Sequence, residues 1–265
     1  MKKIVAALTA LLMTLACACA LGEITVTKKD MALNRSLDKS VSNVLIIMQD
    51  GELTDAMMIA SINSKTGRSV MTSVECDTAV TVPEVGEVAL GEVALGEVYA
   101  LGDEKSRGLL TARTLNALLD LNISTYVALD IETLPALVDE IGTLNLWLND
   151  EEAAILNTWP GDNALGGEDV LTYVRIRLDS DYAEKNRSYM VFMDLLQQGL
   201  RSKGGTNLLG LGKKLLSVMD TNMNAMAAVT MLSAFQAGDD RRELLLESSM
   251  TPEAMREALY REVYE

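Results

Sequence analysis

Three short apolar runs, set close together and rich in β-branched residues, constrain this chain most. They are Asn43-Val-Leu-Ile-Ile-Met48, Met57-Met-Ile-Ala-Ser-Ile62 and Ser69-Val-Met-Thr-Ser-Val74. Runs of this length bounded by turn residues read as buried strands. Asn63-Ser-Lys-Thr-Gly67 is a turn cluster, so the second and third runs form a hairpin. Ser124–Asp130 and Leu144–Leu148 read as two more strands. Between them the spacing turns helical. Leu109, Leu110, Ala112, Leu115, Leu118 and Leu119 line one side of a helix over 106–121, and a short helix from Leu134 to Ile141 stops at Gly142. Residues 157–167 are a Pro/Gly/Asn-rich loop. Beyond Ala183 the spacing predicts helices over 184–200, 208–219, 223–236 and 252–263. The last opens on Thr251-Pro252-Glu253, a capping hydroxyl followed by proline in the first turn. This order predicts an α/β fold of three α-β-α layers, with a central sheet made mixed by the hairpin and with additional C-terminal helices.

The first 20 residues read as a signal peptide. Lys2 and Lys3 precede an apolar run from Ile4 to Leu15, and Ala18-Cys19-Ala20 is a small-x-small cleavage site. A retained membrane anchor is the alternative, since the run approaches spanning length. Residues 21–42 are polar and mixed and read as a flexible lead-in. Residues 1–20 hold two lysines and no acids, so their removal takes the net charge from −15 to −17. A chain this acidic does not hold nucleic acid by its general field. An anion must bind a local basic pocket or bind through a cation. Two of the three cysteines lie in the signal, leaving Cys76 without an internal disulfide partner. Such a thiol is more often an apolar filler than a nucleophile. The chain has no His, which excludes His-dependent triads and His-ligated metals.

Glu-Val-Ala-Leu-Gly occurs at 87–91 and 92–96, then Glu-Val-Tyr-Ala-Leu-Gly at 97–102. Five residues are too few for a solenoid unit, so the repeat reads as a local duplication lengthening a loop or helix start. Leu171-Thr-Tyr-Val-Arg-Ile-Arg-Leu-Asp-Ser-Asp-Tyr182 reads as extended, which points Arg175 and Arg177 to one side. Guanidinium forks suit phosphate oxygens; local pairing with Asp179 and Asp181 is the bland alternative. Met219, Met223, Met226 and Met231 have helical spacing and read as core, with an apolar tunnel lining as the alternative.

Four stretches resemble the LytR-CpsA-Psr family of cell-wall enzymes. Val44-Leu-Ile-Ile-Met-Gln-Asp-Gly51 with Thr54-Asp-Ala-Met-Met-Ile-Ala-Ser-Ile-Asn63 is similar to the family's "ILLLGVDSR…RSDTIMLASIN". Ser73-Val-Glu-Cys-Asp-Thr78 stands beside "SIPRDT", and Tyr126–Asp130 through Leu137-Val-Asp139 and Gly142 beside "YYVVVDFEGFVKLVDALGG". Leu165-Gly-Gly-Glu-Asp-Val-Leu-Thr-Tyr-Val-Arg-Ile-Arg177 stands beside "LDGEQALAYVRFR". Shared order and spacing make the combination specific over residues 43–235, within a domain read as 43–237 and followed by a helical extension at 238–265. The resemblance implies an exported phosphotransferase with a mixed sheet between helices and an apolar tunnel. Such enzymes move a glycopolymer, for example a teichoic acid, from a polyprenyl-diphosphate lipid to peptidoglycan, with Mg²⁺ and in contact with the membrane surface. By the same resemblance Asp50 and Asp55 are the metal ligands, Arg175, Arg177 and Arg187 bind phosphate, and Asp77 and Arg187 are the catalytic candidates. Aspartates that merely cap a turn are the plainer reading of Asp50 and Asp55.

The departures from the family pattern matter. Cys76 replaces the arginine of "SIPRDT" and Glu75 its proline; Glu184 and Ser188 replace an arginine and the glutamine of "GRxxRQ"; the arginine of "GVDSR" is gone, with Gly51-Glu52 nearby. One arginine on a transferring phosphoryl group is worth several orders of magnitude in rate. These losses predict impaired transfer, with a non-catalytic lipid-phosphate binder or a structural envelope protein as alternatives.

Overall fold

In a computed structural model the chain is described over residues 24–83, 91–176, 187–201, 217–237 and 240–265. The strands are β1 (Val41–Asp50), β2 (Leu53–Asn63), β3 (Arg68–Val74), β4 (Ala79–Thr81), β5 (Glu92–Ala94), β6 (Thr125–Asp130), β7 (Leu144–Leu148), β8 (Gly161–Leu165), β9 (Asp220–Thr221) and β10 (Asp240–Leu246). The helices are α1 (Arg107–Leu119), α2 (Leu134–Ile141), α3 (Asp150–Ile155), α4 (Gly167–Val174), α5 (Arg187–Arg201), α6 (Ala225–Ala237) and α7 (Pro252–Val263). Expectations for residues 1–20, for most of the first repeat copy, for Arg177 and Glu184, and for a helix over 208–216 lie outside the described residues.

The central sheet runs β10-β3-β2-β1-β6-β9. It is mixed, as expected: β1, β2 and β3 pair antiparallel, and β6 runs parallel beside β1. β1 is buried without a break from Asn43 to Gln49, which its uninterrupted apolar run requires. Gly51-Glu52 turns β1 into β2, and φ +66° at Gly51 is the left-handed conformation a two-residue hairpin loop asks of its glycine.

The two ends of the domain differ from expectation. Residues 240–246, placed in a helical extension, instead form the sheet's edge strand parallel to β3. Three consecutive leucines hide the alternation, but Arg241, Glu243 and Leu245 are exposed and Leu246 is buried, which is the period of a strand. Residues 24–42, read as flexible, are tied down. Ile24, Val26 and Met31 are buried; Ile24 N donates to Leu101 O at 3.2 Å and Asn34 N to Leu121 O at 2.8 Å.

The two faces of the sheet are covered differently. On one, Leu45, Ile47, Met57, Ile59, Val70 and Val74 join α1, α7 and the lead-in in one continuous core. On the other, Ile46, Met48, Ala56 and Met58 pack against α2, α4 and α5. Val44, Val127, Met223 and Ala228 form a separate small cluster by α6, and Met219 touches both. Each buried aliphatic side chain contributes roughly 1.5–3 kcal/mol by leaving water. No helix among the described residues is long and apolar enough to cross a membrane.

Candidate functional site

β1 and β6 are parallel neighbours, with Gln49 opposite Asp130, so their carboxyl ends share one edge of the sheet. Ligands of open α/β sheets bind outside that edge. Asp50 ends β1 there, and Glu132 follows β6 in a turn whose N–H is accepted by Asp130 Oδ1 at 3.0 Å. Asp55 arrives by a different device. Met48 pairs with Ala56 but Gln49 with Thr54, so Asp55 is the extra residue of a β-bulge. A bulge bends its strand and re-aims the side chain. Ser188, in the first turn of α5, donates its hydroxyl to the Asp55 carboxylate.

Arg175 was expected on an extended stretch. It is instead the C-terminal cap of helix α4, its N–H donating to Leu171 O at 3.2 Å and Thr172 O at 3.1 Å. The β-branched and aromatic residues before it favour a strand. Burial of Val170, Leu171, Tyr173 and Val174 on one helical side overrides that preference. From the helix end the guanidinium reaches Asp50, Nη2 to Oδ1 at 2.7 Å and Nε to Oδ2 at 3.4 Å, and Nη2 also donates to Glu132. The hydrogen bond it donates to Asp50, then that to Glu132, raises the arginine's pKa further, so it stays charged. A cavity of about 350 Å³ opens beside it, lined by Ile155, Glu168, Leu171, Thr172, Arg175 and Ile176. That volume is at the small end of ligand sites.

Arg187 opens α5 and is only 5% exposed. Its Nε donates to Glu152 Oε1 at 2.9 Å, its Nη2 lies 2.9 Å from the same oxygen, and its Nη1 donates to Ile176 O at 3.4 Å. The guanidinium also lies 5.8 Å from the Tyr173 ring centroid. Glu152 is fully buried and caps α3: its Oε2 accepts Asn149 N at 3.0 Å, and Asn149 Oδ1 accepts Glu152 N at 2.8 Å. The fork expected to grip phosphate is therefore set on a carboxylate that sequence reasoning missed. An acid in a helix's first turn is ordinary, and nothing local in the sequence distinguishes this one.

Asp77 is exposed in the turn after β3, where Thr78 N donates to Glu75 O at 3.1 Å. Cys76 beside it is half-buried. Burial first, then the charges of Asp55, Asp77 and Glu75, push its thiol up to about 12. It is a neutral thiol at physiological pH, in keeping with the filler reading. The second repeat copy closes over it: Gly96 N donates to Cys76 O at 2.8 Å, and a Cβ at Gly96 would come within 3.1 Å of Cys76 Cβ. The structure thus gathers Asp50, Arg175 and Glu132 in one group, and Asp55, Ser188, Cys76 and Asp77 in another beside it. Arg187 is buried and joins neither group, its guanidinium being bonded to Glu152.

The chain belongs to the LytR_cpsA_psr family, whose model matches residues 19–259. Biofilm regulatory protein A of Streptococcus mutans is 26% identical over 184 residues, 64% of this chain and 43% of that protein. The polyisoprenyl-teichoic acid–peptidoglycan teichoic acid transferase TagU of Oceanobacillus iheyensis is 23% identical over 159 residues, 57% of this chain and 48% of that protein. The chain therefore spans under half the length of the curated relatives it matches. Among solved structures, the LytR-CPS2A-psr family protein YwtF (TagT) with bound octaprenyl pyrophosphate lipid superposes with a TM-score of 0.65 at 17% identity, covering 92% of this chain and 98% of that one. That superposition shows the shared fold.

Proposed function

We propose that this chain is an exported envelope protein that binds a polyprenyl-diphosphate carrier at the Asp50–Arg175 edge, and that its transfer of a glycopolymer to peptidoglycan is impaired. The observation that carries the reading is the Arg175 fork, held on Asp50 at the lip of the cavity. Phosphate presents the same paired-oxygen geometry as a carboxylate, so Arg175 can exchange one for the other. The relative named as a teichoic acid transferase and the fold neighbour carrying octaprenyl pyrophosphate support the ligand class. The separate cluster at Val44, Val127, Met223 and Ala228 leaves an apolar seam under α6, a suitable place for a prenyl chain.

Asp50 and Asp55 fit Mg²⁺ in donor type, since that ion takes one or two protein carboxylates and completes its shell with water and phosphate oxygens. Among the described residues no three such side chains gather into a site, so the cation would be shared with the diphosphate rather than caged by protein. A bound Mg²⁺ would neutralise charge developing on the phosphate oxygens. Arg175 would hold the phosphate's orientation, and Glu132 would keep the guanidinium at the lip when Asp50 lets go.

Impairment follows from the charges around position 76. Asp55, Asp77 and Glu75 all bear on a residue that supplies no cation, and Arg187 is engaged by Glu152. The test is to incubate the protein with Mg²⁺ and a polyprenyl-diphosphate-linked saccharide, reading lipid binding and diphosphate cleavage separately. Saturable binding that Arg175→Ala abolishes, with slow or no cleavage, supports the proposal. Cleavage should rise in the double variant Cys76→Arg, Glu184→Arg. Wild-type protein that binds no lipid, or Arg175→Ala protein that binds it equally well, overturns it.

A further inference from the structure

The chain has two tryptophans, and one hairpin carries both in the open. Trp147 on β7 is 56% exposed and Trp159, just before β8, is 84% exposed. β7 turns Leu144, Leu146 and Leu148 inward and Asn145 and Trp147 outward, with Trp147 opposite Asp162 of β8. A lone exposed aromatic is unremarkable. Here the backbone that presents Trp159 is fastened. Asn163 Nδ2 donates to Trp159 O at 2.8 Å and to Gly161 O at 2.9 Å, Thr158 Oγ1 donates to Asn163 Oδ1 at 2.8 Å, and Thr158 N donates to Ala153 O at 2.9 Å. The loop thus holds a large apolar ring in water, against the hydrophobic effect, on a fixed frame. Ile155, 49% exposed at the end of α3, belongs to the same end of the hairpin and also lines the cavity beside Arg175.

Charge selects the occupant. Asn145, Asp150, Glu151, Asn157 and Asp162 are exposed around these rings. From Thr114 to Val174 the chain contains no Lys or Arg at all. An anionic bilayer or a polyphosphate chain would meet the like charge of these carboxylates. An uncharged sugar ring suits the surface on both counts: its C–H face packs on an indole, and its hydroxyls bond to carboxylate and amide oxygens. We propose that Trp159 and Trp147 form a stacking platform for neutral sugar rings of a glycan chain, continuous through α3 with the diphosphate edge. The proposal rests on the lipid-diphosphate reading only for which glycan arrives, and gives the saccharide side of that chemistry a place.

Because the platform contains every tryptophan in the chain, the protein's own indole emission reports on it. Titration with an uncharged N-acetylglucosamine tetramer should change the emission saturably. By calorimetry, Trp159→Ala should weaken the tetramer at least tenfold, Trp147→Ala should weaken it less, and Trp159→Tyr should retain most of the binding. Lipid-diphosphate binding should stay at the wild-type level in all three. No saturable response to the tetramer, an undiminished affinity in Trp159→Ala, or a response to phosphatidylglycerol vesicles in place of the tetramer would overturn the platform. Lipid binding that persists while the tetramer fails would leave the diphosphate site standing alone. The converse result would overturn the diphosphate site and keep the platform.

Discussion

The two faces of the central sheet use the same strands and have opposite characters. On the face covered by α1 and α7, apolar side chains from 24 to 263 merge into one core. Several of its polar groups bond to backbone: Thr111 and Thr114 donate to Arg107 O and Leu110 O, each at 3.0 Å, and Asn116 bonds Met31 O and both backbone groups of Ile123. On the other face the apolar layer divides, a fully buried ion pair links two helices, and an arginine fork stands open at the edge. The covering helices make the difference. α6 has no charged residue from Ala225 to Ala237, yet Met226 is 63% exposed. The ligand edge proposed at Asp50 and Arg175 lies on the second face.

The largest expected effect tests the ion pair. Glu152→Ala leaves the Arg187 guanidinium buried without its carboxylate, which typically costs about 3–5 kcal/mol. It also frees the joint between α3 and α5, so lipid-diphosphate binding should fall with stability, as chemical denaturation and lipid titration would show. Leu115→Ala on the closed face should cost about 2–5 kcal/mol, the usual range for a leucine cavity. There, binding per folded molecule should not change. If the two variants cannot be separated in this way, the division of labour between the faces is wrong.

The sequence revealed what is decided within a few neighbouring residues. The turn at Asn63–Gly67 and the Thr251 cap are of this kind, and Thr251 Oγ1 accepts Ala254 N at 3.3 Å as its position implies. The strand β8 was not legible: Gly161-Asp-Asn-Ala-Leu165 is built of turn formers and is extended only because β7 pairs with it. Asp50, Asp55 and Arg175 could be named from their resemblance to family motifs. Their arrangement could not be, since it depends on a bulge one residue long and on a helix that local preference argues against. Glu152 shows the limit most plainly. Its partner is 35 residues away, and neither segment hints at the other.

A smaller effect is expected at the apolar seam. Ala228 is 9% exposed, in the cluster that stays apart from the main layer. Adding bulk to a filled core costs about 1–3 kcal/mol. If the seam receives a prenyl chain, Ala228→Leu should cost less than that and still weaken polyprenyl-diphosphate binding at least tenfold. A full overpacking cost with unchanged lipid affinity would show the seam to be ordinary core.

The smallest effect is at Cys76, which packs against the closed core while Asp55 bears on it from the site. At neutral pH, Cys76→Ser should leave the unfolding midpoint nearly unchanged. Alkali distinguishes the two. The folded thiol is pushed up to about 12, while an unfolded one ionises near 9. A raised folded-state pKa contributes stability that is complete below the unfolded value and is lost as pH rises from about 9 towards 12. With Cys17 and Cys19 replaced by Ser, iodoacetamide should label Cys76 in the native protein far more slowly at pH 9 than in urea. The wild-type midpoint should also fall more steeply than that of Cys76→Ser above pH 9. Rapid native labelling at pH 8 would mean that the acids around position 76 do not act on the thiol as their placement requires, and with it would go the argument that this position lacks the cation its surroundings are shaped to hold.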